Sequence, residues 1–475
     1  MKIYKIEEFG AVADGVFLNT VPVQKAIDYC SQTGGGQVVF SKGDYVLSTV
    51  FLKDNVEIII EKDARILGSL NFGDYASLEK IDYVLYQDVS HSFFHCSMFV
   101  AIDCKNIAIK GKGTIDMRSV WDEQNINNMV NRGAKIIACK SCDNIEIRGL
   151  TVLNATDLAI YLSHSQNIVV DDIYARVHID GISLDNCKNA NIKNCYVESG
   201  DDGMVFKSAF TLNRLDICKN ITVKNCKIKS RCNAIKFGTE TNGGFEDFFI
   251  SDCEIFETRI SGIAIESVDG AVVDNINVSN IKMRNVFNPF FICLGKRMRA
   301  PKNLSVGEIK NISISNVDVD GPYVPYNCIP LSYKSYKNKN EYQTPWRLVN
   351  SDVVSDIDRG FNEFNDWQVS SSICGLENNP IKNIKLVNVK MKLHGACKVK
   401  NIKIKKEPAE YPECWAYGRR LPAKGIMFKN VQGLWLDNVS IQTYNPDVRE
   451  PLVFDNVENV VIEQKNEELL AIANA

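Results

Sequence analysis

Three stretches of the chain repeat one short pattern, and this repeat decides the fold. Asp143–Ile147 reads DNIEI, Gln166–Val170 reads QNIVV, and Lys188–Ile192 reads KNANI. In each stretch an asparagine follows a polar residue and leads into apolar residues at alternate positions. The asparagines at 144, 167 and 189 are 23 and 22 residues apart. This interval is typical of one coil of a solenoid protein.

Weaker copies of the pattern extend the repeat along most of the chain. They occur at Asp54–Ile58, Lys105–Ile109, Lys219–Val223, Asp274–Val278, Lys310–Ile314 and Lys382–Leu386. Alternating apolar residues indicate strands with one buried face, and Asn, Asp and Gly tolerate left-handed corners between strands. Three strands in a coil of about 22 residues predict an all-β chain folded as a parallel β-helix. A leucine-rich repeat would need a regular Leu-x-x-Leu-x-Leu frame, which is absent.

Two segments depart from the repeat. Residues 20–31 predict a short helix with Val21, Ala26, Ile27 and Cys30 on one face, closed by three glycines at 34–36, and we expect it to cap the N-terminal end. Residues 321–380 lack the period, and we expect a long loop insertion that walls a binding site. Otherwise we expect a single β-helix domain over residues 1–475.

The composition is that of an ordinary soluble globular protein, with 45% hydrophobic and 24% charged residues. The 55 basic and 58 acidic residues leave a net charge of −3, so we expect neither nucleic acid nor a membrane as a partner. The first residues show no apolar signal segment, and we expect a cytoplasmic protein. The 16 cysteines show no recurring metal or redox spacing, so we interpret them as reduced core residues.

One cluster of acidic residues is predicted by the repeat itself. Asp180–Asp185 reads DGISLD and Asp202–Lys207 reads DGMVFK, an offset of 22 residues. Asp180 should therefore stack against Asp202, with Asp201 beside it, because adjacent strands lie about 4.8 Å apart. Three carboxylates so close cannot all stay ionised without cost, so at least one pKa in the cluster should be raised.

This cluster has three interpretations. Asp and Gly favour corners, so the residues are explained by turns alone. Clustered carboxylates also bind hard cations such as calcium. Finally, a protonated carboxylic acid beside ionised carboxylates is suited to acid–base cleavage of a glycosidic bond.

A resemblance favours the last interpretation. The segments that carry it are Gly10–Gly15, Gly111–Asp116, Asn144–Val152, Val177–Ile182, Asn194–Cys195, Gly200–Gly203 and Lys207–Ser208. Over residues 5–320 the chain resembles glycoside hydrolase family 28, the polygalacturonase-like and rhamnogalacturonase-like enzymes. The resemblance implies a right-handed parallel β-helix and hydrolysis with inversion, with Asp201 as the acid and Asp180 and Asp202 as bases. It implies no cofactor and a carbohydrate as the partner. Inverting enzymes commonly hold their carboxyl groups about 6.5–9.5 Å apart.

The chain departs from the family pattern at two motifs. Cys232–Ala234 stands where the family has Gly-His-Gly, so Asn233 replaces the histidine. Ala264–Glu266 stands where the family has the Arg-Ile-Lys that grips a substrate carboxylate. Each lost charge-assisted contact costs about 1.5–3 kcal/mol. The candidate substrate-binding residues are Lys207, Asn233, Lys236, Glu240, Ala264 and Glu266, and Lys236 could partly replace the lost charge.

We therefore expect an exo-acting glycoside hydrolase for plant-type oligosaccharides or glycosides, and not an ordinary polygalacturonase. A lyase or epimerase on the same scaffold is one alternative, although such enzymes need a cation next to the uronate carboxylate. A non-catalytic carbohydrate-binding β-helix is the other, although such a protein would have no reason to keep three crowded carboxylates.

Overall fold

The computed structural model describes residues 2–86, 91–120, 133–321 and 368–463. Within these ranges nearly all regular structure is β-strand. The chain divides into two compact units. Among the described residues, unit 1 contains residues 2–86, 91–120, 133–204 and 211–214, and unit 2 contains residues 205–210, 215–321 and 368–463. The prediction of a single domain stays a prediction.

Unit 1 is built from short strands and one α-helix. Its elements are β1 Ile3–Lys5, β2 Asp14–Leu18, α1 Thr20–Gln32, β3 Gly36–Phe40, β4 Gly43–Leu47, β5 Val50–Phe51, β6 Val56–Ile60, β7 Ala64–Gly68, β8 Ser97–Ile102, β9 Lys105–Gly111, β10 Thr114–Asp116, β11 Lys135–Lys140, β12 Asp143–Arg148, β13 Thr151–Leu153, β14 Ile160–Ser163, β15 Gln166–Asp171, β16 Tyr174–Val177, β17 Ile182–Asp185, β18 Lys188–Lys193 and β19 Tyr196–Ser199. Two single-turn 3₁₀ helices lie at Ile6–Phe9 and Phe72–Asp74.

The strands of unit 1 stack as coils. β11 pairs in parallel with β14, and β14 with β17. β12, β15 and β18 form a second parallel row, and β13, β16 and β19 form a third. In these rows each strand pairs with the third strand after it, which is the connectivity of a parallel β-helix with three strands per coil.

The helix α1 packs against β1, β3, β5 and β6 in the first coils, as expected of an N-terminal cap. Val23, Ala26, Ile27 and Cys30 are fully buried. Val21 is 62% exposed, so its predicted place on the buried face is wrong. At 100° per residue Val21 lies well away from the face centred on residues 23, 26, 27 and 30.

Unit 2 continues the strand pattern with longer elements. They are β20 Met204–Ser208, β21 Cys218–Lys224, β22 Lys227–Ser230, β23 Ile235–Thr241, β24 Gly244–Ser267, β25 Val272–Leu294, β26 Glu308–Asp320, β27 Ser371–Cys374, β28 Ile381–Gly395, β29 Ala423–Asn445 and β30 Glu450–Glu463. The first residue of β20, Met204, belongs to unit 1. β24 pairs in parallel with β25 along almost its whole length, and β26, β28, β29 and β30 follow in the same way.

The repeated asparagines form hydrogen-bonded ladders within each unit. In unit 1 the side-chain amide of Asn106 donates to Asn55 at 2.9 Å, and that of Asn144 donates to Asn106 at 2.8 Å. Asn189 donates in the same way to Asn167 at 3.2 Å. All five residues have φ between 54° and 61°. Asn adopts this left-handed conformation more readily than most residues. The repeat in the sequence is therefore a row of corners joined by amide hydrogen bonds.

The interior agrees with the prediction for cysteine. All fifteen cysteines in the described ranges are buried thiols. The predicted insertion at 321–380 falls mainly on residues 322–367, which lie outside the described residues. Among the residues that are described, no helix is long and apolar enough to cross a membrane.

Candidate active site

Unit 1 brings the three predicted catalytic aspartates together. Asp180 lies just before β17, and Asp201 and Asp202 follow the end of β19. One carboxylate oxygen from each residue lies within 4.8 Å of the other two. Asp180 and Asp202 are 5% and 7% exposed, and Asp201 is half-buried. The carboxylates thus face one another in a place that solvent reaches at Asp201.

Backbone hydrogen bonds hold these aspartates in the predicted register. The N–H of Gly181 donates to the carbonyl oxygen of Asp202 at 3.1 Å, and that of Ile182 donates to Gly203 at 3.0 Å. A Cβ atom on Gly181 would lie 2.5 Å from the oxygen of Gly203. Only glycine lets the two coils approach this closely. The offset of 22 residues in the sequence is therefore an actual contact between neighbouring coils.

Two donors contact the carboxylate of Asp180. The backbone N–H of Asp202 donates to Oδ1 at 3.3 Å, and the Ser183 hydroxyl donates to Oδ2 at 3.5 Å. Hydrogen bonds of this kind favour the ionised form of a carboxyl group. The role of Asp180 as a base stays a prediction.

The carboxylates lie closer together than the sequence-based expectation of about 6.5–9.5 Å for an inverting pair. Their nearest oxygens are within 4.8 Å, which leaves less room for a water molecule between the carboxyl groups than that expectation assumed.

A buried ion pair lies two coils away from this cluster in unit 1. Lys135 Nζ is 2.7 Å from Asp157 Oδ2, and both side chains are 3% exposed. Oδ1 of Asp157 is buried and accepts no hydrogen bond from the residues described. Lys135 stands two residues before Ile137, which pairs through Ile160 with Ile182. Asp180 likewise stands two residues before Ile182. Lys135 and Asp180 therefore lie on the same row of strands, two coils apart, which is roughly 10 Å along the stack. This pair was not predicted from the sequence.

In unit 2 the predicted substrate-binding residues form buried ion pairs. Lys207 is hydrogen-bonded to Glu240, and both side chains are less than a tenth exposed. Lys236 Nζ lies 2.8 Å from Glu413 Oε1 and 3.7 Å from Glu266 Oε1. Glu266 is fully buried.

The two neutral candidates lie close to Lys236. Asn233 donates to Glu413 at 3.4 Å and accepts from the N–H of Ser261 at 3.1 Å. Ala264 pairs in register with Lys236 and belongs to a buried apolar cluster with Phe291 and Tyr417. Substrate contact by these residues stays a prediction.

An exposed aromatic ring completes the surroundings of Lys236. Tyr411 is 51% exposed. Its ring centroid is 5.9 Å from Lys236 Nζ and 5.3 Å from Arg297 Cζ. The Arg297 guanidinium is itself bound to Asp269. A partly exposed aromatic residue can stack against the apolar face of a sugar ring.

Comparison with known proteins identifies the family. The sequence profile described as "Glycosyl hydrolases family 28" matches residues 30–322. This match covers more than half of the chain. The chain belongs to glycosyl hydrolase family 28. Its predicted fold, a right-handed parallel β-helix, is confirmed.

The relatives of this family 28 chain are distant. A "Probable polygalacturonase" of Vitis vinifera is 25% identical over 59% of this chain and 60% of its own length. An "Exo-poly-alpha-D-galacturonosidase" of Dickeya chrysanthemi is 25% identical over 43% of this chain and 42% of its own length. The solved family 28 exopolygalacturonase of Yersinia enterocolitica has a TM-score of 0.66 at 18% identity, over 97% of this chain and 78% of its own. The family 28 chain thus spans about 40–60% of the length of these two curated relatives.

Three residues around Lys236 in this family 28 chain were missed from the sequence. Glu413 and Tyr411 lie between β28 and β29, and Arg297 follows β25. Glu413 is 177 residues from Lys236, and neither the repeat nor a motif connects them. The one signal in the sequence was compositional, since residues 407–413 carry three glutamates.

Proposed function

We propose that this chain hydrolyses O-glycosidic bonds with inversion, acting from one end of plant-type oligosaccharides or glycosides. The single observation that carries the proposal is the convergence of Asp180, Asp201 and Asp202 within 4.8 Å. Membership of family 28 supports hydrolysis as the reaction class.

The proposed reaction assigns one step to each kind of carboxyl group. Asp201, the most exposed of the three, donates its proton to the leaving glycosidic oxygen. Asp180 and Asp202 accept a proton from a water molecule, whose oxygen attacks the anomeric carbon from the opposite face. The C–O bond to the leaving group breaks as the bond to water oxygen forms. After the reaction Asp201 is ionised, and the proton from water is held by Asp180 and Asp202. Proton exchange with solvent returns all three carboxyl groups to their starting states.

Two observations support action on chain ends and on substrates with little negative charge. One relative carries the printed name of an exo-acting galacturonosidase. In unit 2 the cations Lys207, Lys236 and Arg297 are each bound to a carboxylate. A uronate therefore finds these charges already neutralised. The preferred substrate in this proposal is a neutral or mixed oligosaccharide.

A screen of purified neutral and acidic plant oligosaccharides tests the proposal, with products separated by size over time. We expect one small sugar to be released from the outset, with weak or no action on polygalacturonate. A rapid fall in polygalacturonate viscosity with few reducing ends formed would contradict both the exo mode and the substrate preference.

A further inference from the structure

The segment of residues 407–413, here called the acidic segment, is held by ion pairs in unit 2. Glu407 binds Lys296 at 2.5 Å, and Glu410 binds Arg299 at 3.0 Å. Glu413, at the end of the segment, binds Lys236 at 2.8 Å. Three carboxylates of one segment are thus matched to three cations elsewhere in the unit.

The third pair differs from the other two in burial. The side chains of the Glu407 and Glu410 pairs are 45–70% exposed. Such surface pairs contribute little to stability. Lys236 is 4% and Glu413 is 13% exposed. Charges this buried interact strongly with any charge placed beside them.

Two carboxylates already surround Lys236. Glu413 lies at 2.8 Å, and Glu266, which is fully buried, lies at 3.7 Å. One ammonium therefore faces two carboxylates. A third carboxylate arriving from a ligand would have to displace Glu413 or accept like-charge repulsion.

Tyr411, a partly exposed residue, lies beside the same pair. Its ring centroid is 5.9 Å from Lys236 Nζ. A sugar stacked on this ring would bring its substituents near the Lys236–Glu413 pair. Hydroxyl groups can donate to a carboxylate, whereas a second carboxylate cannot.

From these contacts we propose that Glu413 is a specificity-determining residue that occupies Lys236 and excludes acidic sugars. The proposal rests on the proposed function only in that the ligand is a sugar. The Lys236 ammonium would suit a uronate, and the Glu413 carboxylate takes the place of that uronate. Building a repulsive group against the wrong ligand is a general means of specificity.

Calorimetric titration tests this role without turnover. All proteins carry Asp201→Asn, so that the ligand is not consumed. The ligands are α-1,4-linked trigalacturonate and its carboxyl-reduced, neutral counterpart. With Glu413 intact we expect the neutral trimer to bind more tightly. Glu413→Gln should tighten trigalacturonate binding at least about tenfold, the gain typical of one charge-assisted contact, and change the affinity for the neutral trimer less.

Matched variants separate this effect from a general change of charge. Glu410→Gln makes the same chemical change in the same segment, and we expect no gain for trigalacturonate. Adding Lys236→Met to Glu413→Gln should abolish the gain, because the cation that receives the ligand is then absent. Circular dichroism and thermal unfolding confirm that each variant is folded.

Three results would overturn the proposal. One is a folded Glu413→Gln protein that binds trigalacturonate no better than its parent or not measurably at all. Another is an equal gain from Glu410→Gln. The third needs no change at Glu413: the parent protein binds trigalacturonate at least as tightly as the neutral trimer. Failure of the proposed hydrolysis is a separate result, since it is measured by product release and not by binding.

Discussion

The backbone N–H of Asp202 donates a hydrogen bond to the Asp180 carboxylate across 3.3 Å, between residues 22 positions apart. The bond joins two neighbouring coils at the point where the candidate acid and bases meet. An asparagine at position 180 could still accept it through its amide oxygen. Charge at this site can therefore be removed without removing the contact that positions it.

Replacing each aspartate of the cluster by asparagine should remove activity and leave the fold intact. We expect Asp180→Asn, Asp201→Asn and Asp202→Asn each to lower turnover at least about 100-fold, the usual contribution of a positioned acid or base. Turnover on the substrate found by screening, together with the unfolding temperature, provides the measurement. Asp172→Asn is the control, because Asp172 is a surface residue with 56% of its side chain exposed. Near-normal turnover in all three variants would exclude the assigned roles.

The product should have the inverted anomeric configuration. In the proposed mechanism Asp180 and Asp202 activate a water molecule, so that no covalent sugar–enzyme intermediate forms. Proton NMR during the first minutes of reaction, before mutarotation, shows which anomer is released. The experiment is needed because closely spaced carboxyl groups are also typical of retaining enzymes. A retained anomer would show that one aspartate acts as a nucleophile.

Breaking the buried pair of Lys135 and Asp157 should destabilise unit 1 strongly. A single change, Lys135→Met, leaves Asp157 charged and buried, which typically costs about 3–5 kcal/mol. Urea unfolding measures the loss. Lys112→Met is the matched control, since the Lys112–Asp172 pair is more than half exposed and we expect less than about 1 kcal/mol. A small effect of Lys135→Met would mean that water or protonation of Asp157 compensates for the lost ammonium group. The ion pair would then contribute little to the stability of unit 1.

Low pH should lower the stability of unit 2 by protonating Asp447. Burial raises the pKa of this carboxyl group, but hydrogen bonds and charge from Arg449 and the N–H of Cys397 outweigh it and hold the pKa below the ordinary value of 3.8. A group with a lowered pKa in the folded state stabilises the fold above its unfolded pKa, and this contribution is lost as the pH falls through the folded pKa. The unfolding temperature of the native protein should therefore fall more steeply below pH 3.8 than that of Asp447→Asn. Parallel curves for the two proteins would refute this assignment.

Substitutions at Asn144 separate the two ways in which an asparagine of the ladder stabilises the fold, the side-chain hydrogen bond and the tolerance of a left-handed backbone. Asn144→Gly keeps a left-handed corner possible and loses the hydrogen bond to Asn106, at a cost of about 0.5–1.5 kcal/mol. Asn144→Ala loses the bond and also strains the backbone, adding about 1–2 kcal/mol. We expect alanine to be the more damaging change in thermal unfolding. The reverse order would show that backbone freedom in the unfolded chain matters more than the corner.

Much of unit 1 was predictable because its determinants are local or repeat at a fixed interval. The corners at Asn144, Asn167 and Asn189 follow from the side chain of asparagine, and the strands between them follow from alternating apolar residues. The approach of Asp180 to Asp202 followed from the same interval. Helix α1 was expected at residues 20–31 and ends at Gln32.

The contacts of Lys236 were not predictable for the opposite reason. Lys236 pairs in register with Ala264, because neighbouring coils share the repeat. Its main partner Glu413 comes from a segment outside the repeat, 177 residues later. No periodicity positions such a segment, and ion pairs between distant residues leave no trace in local spacing. The burial of Lys135 with Asp157 was missed although both lie within the repeat, because neither residue belongs to a motif that recurs from coil to coil.

The asparagine ladders also affect how readily this protein is degraded chemically by deamidation. Asparagine deamidates when the next backbone nitrogen attacks the side-chain amide, and a bulky following residue hinders that attack. Asn55, Asn106, Asn144 and Asn167 are each followed by Val or Ile, and their corners are fixed by hydrogen bonds. Conversion of Asn106, Asn144 or Asn167 to aspartate would replace an amide donor by a group that only accepts, and one hydrogen bond between coils would be lost. The residues that follow the corners thus protect the amides chemically while their side chains fill the core.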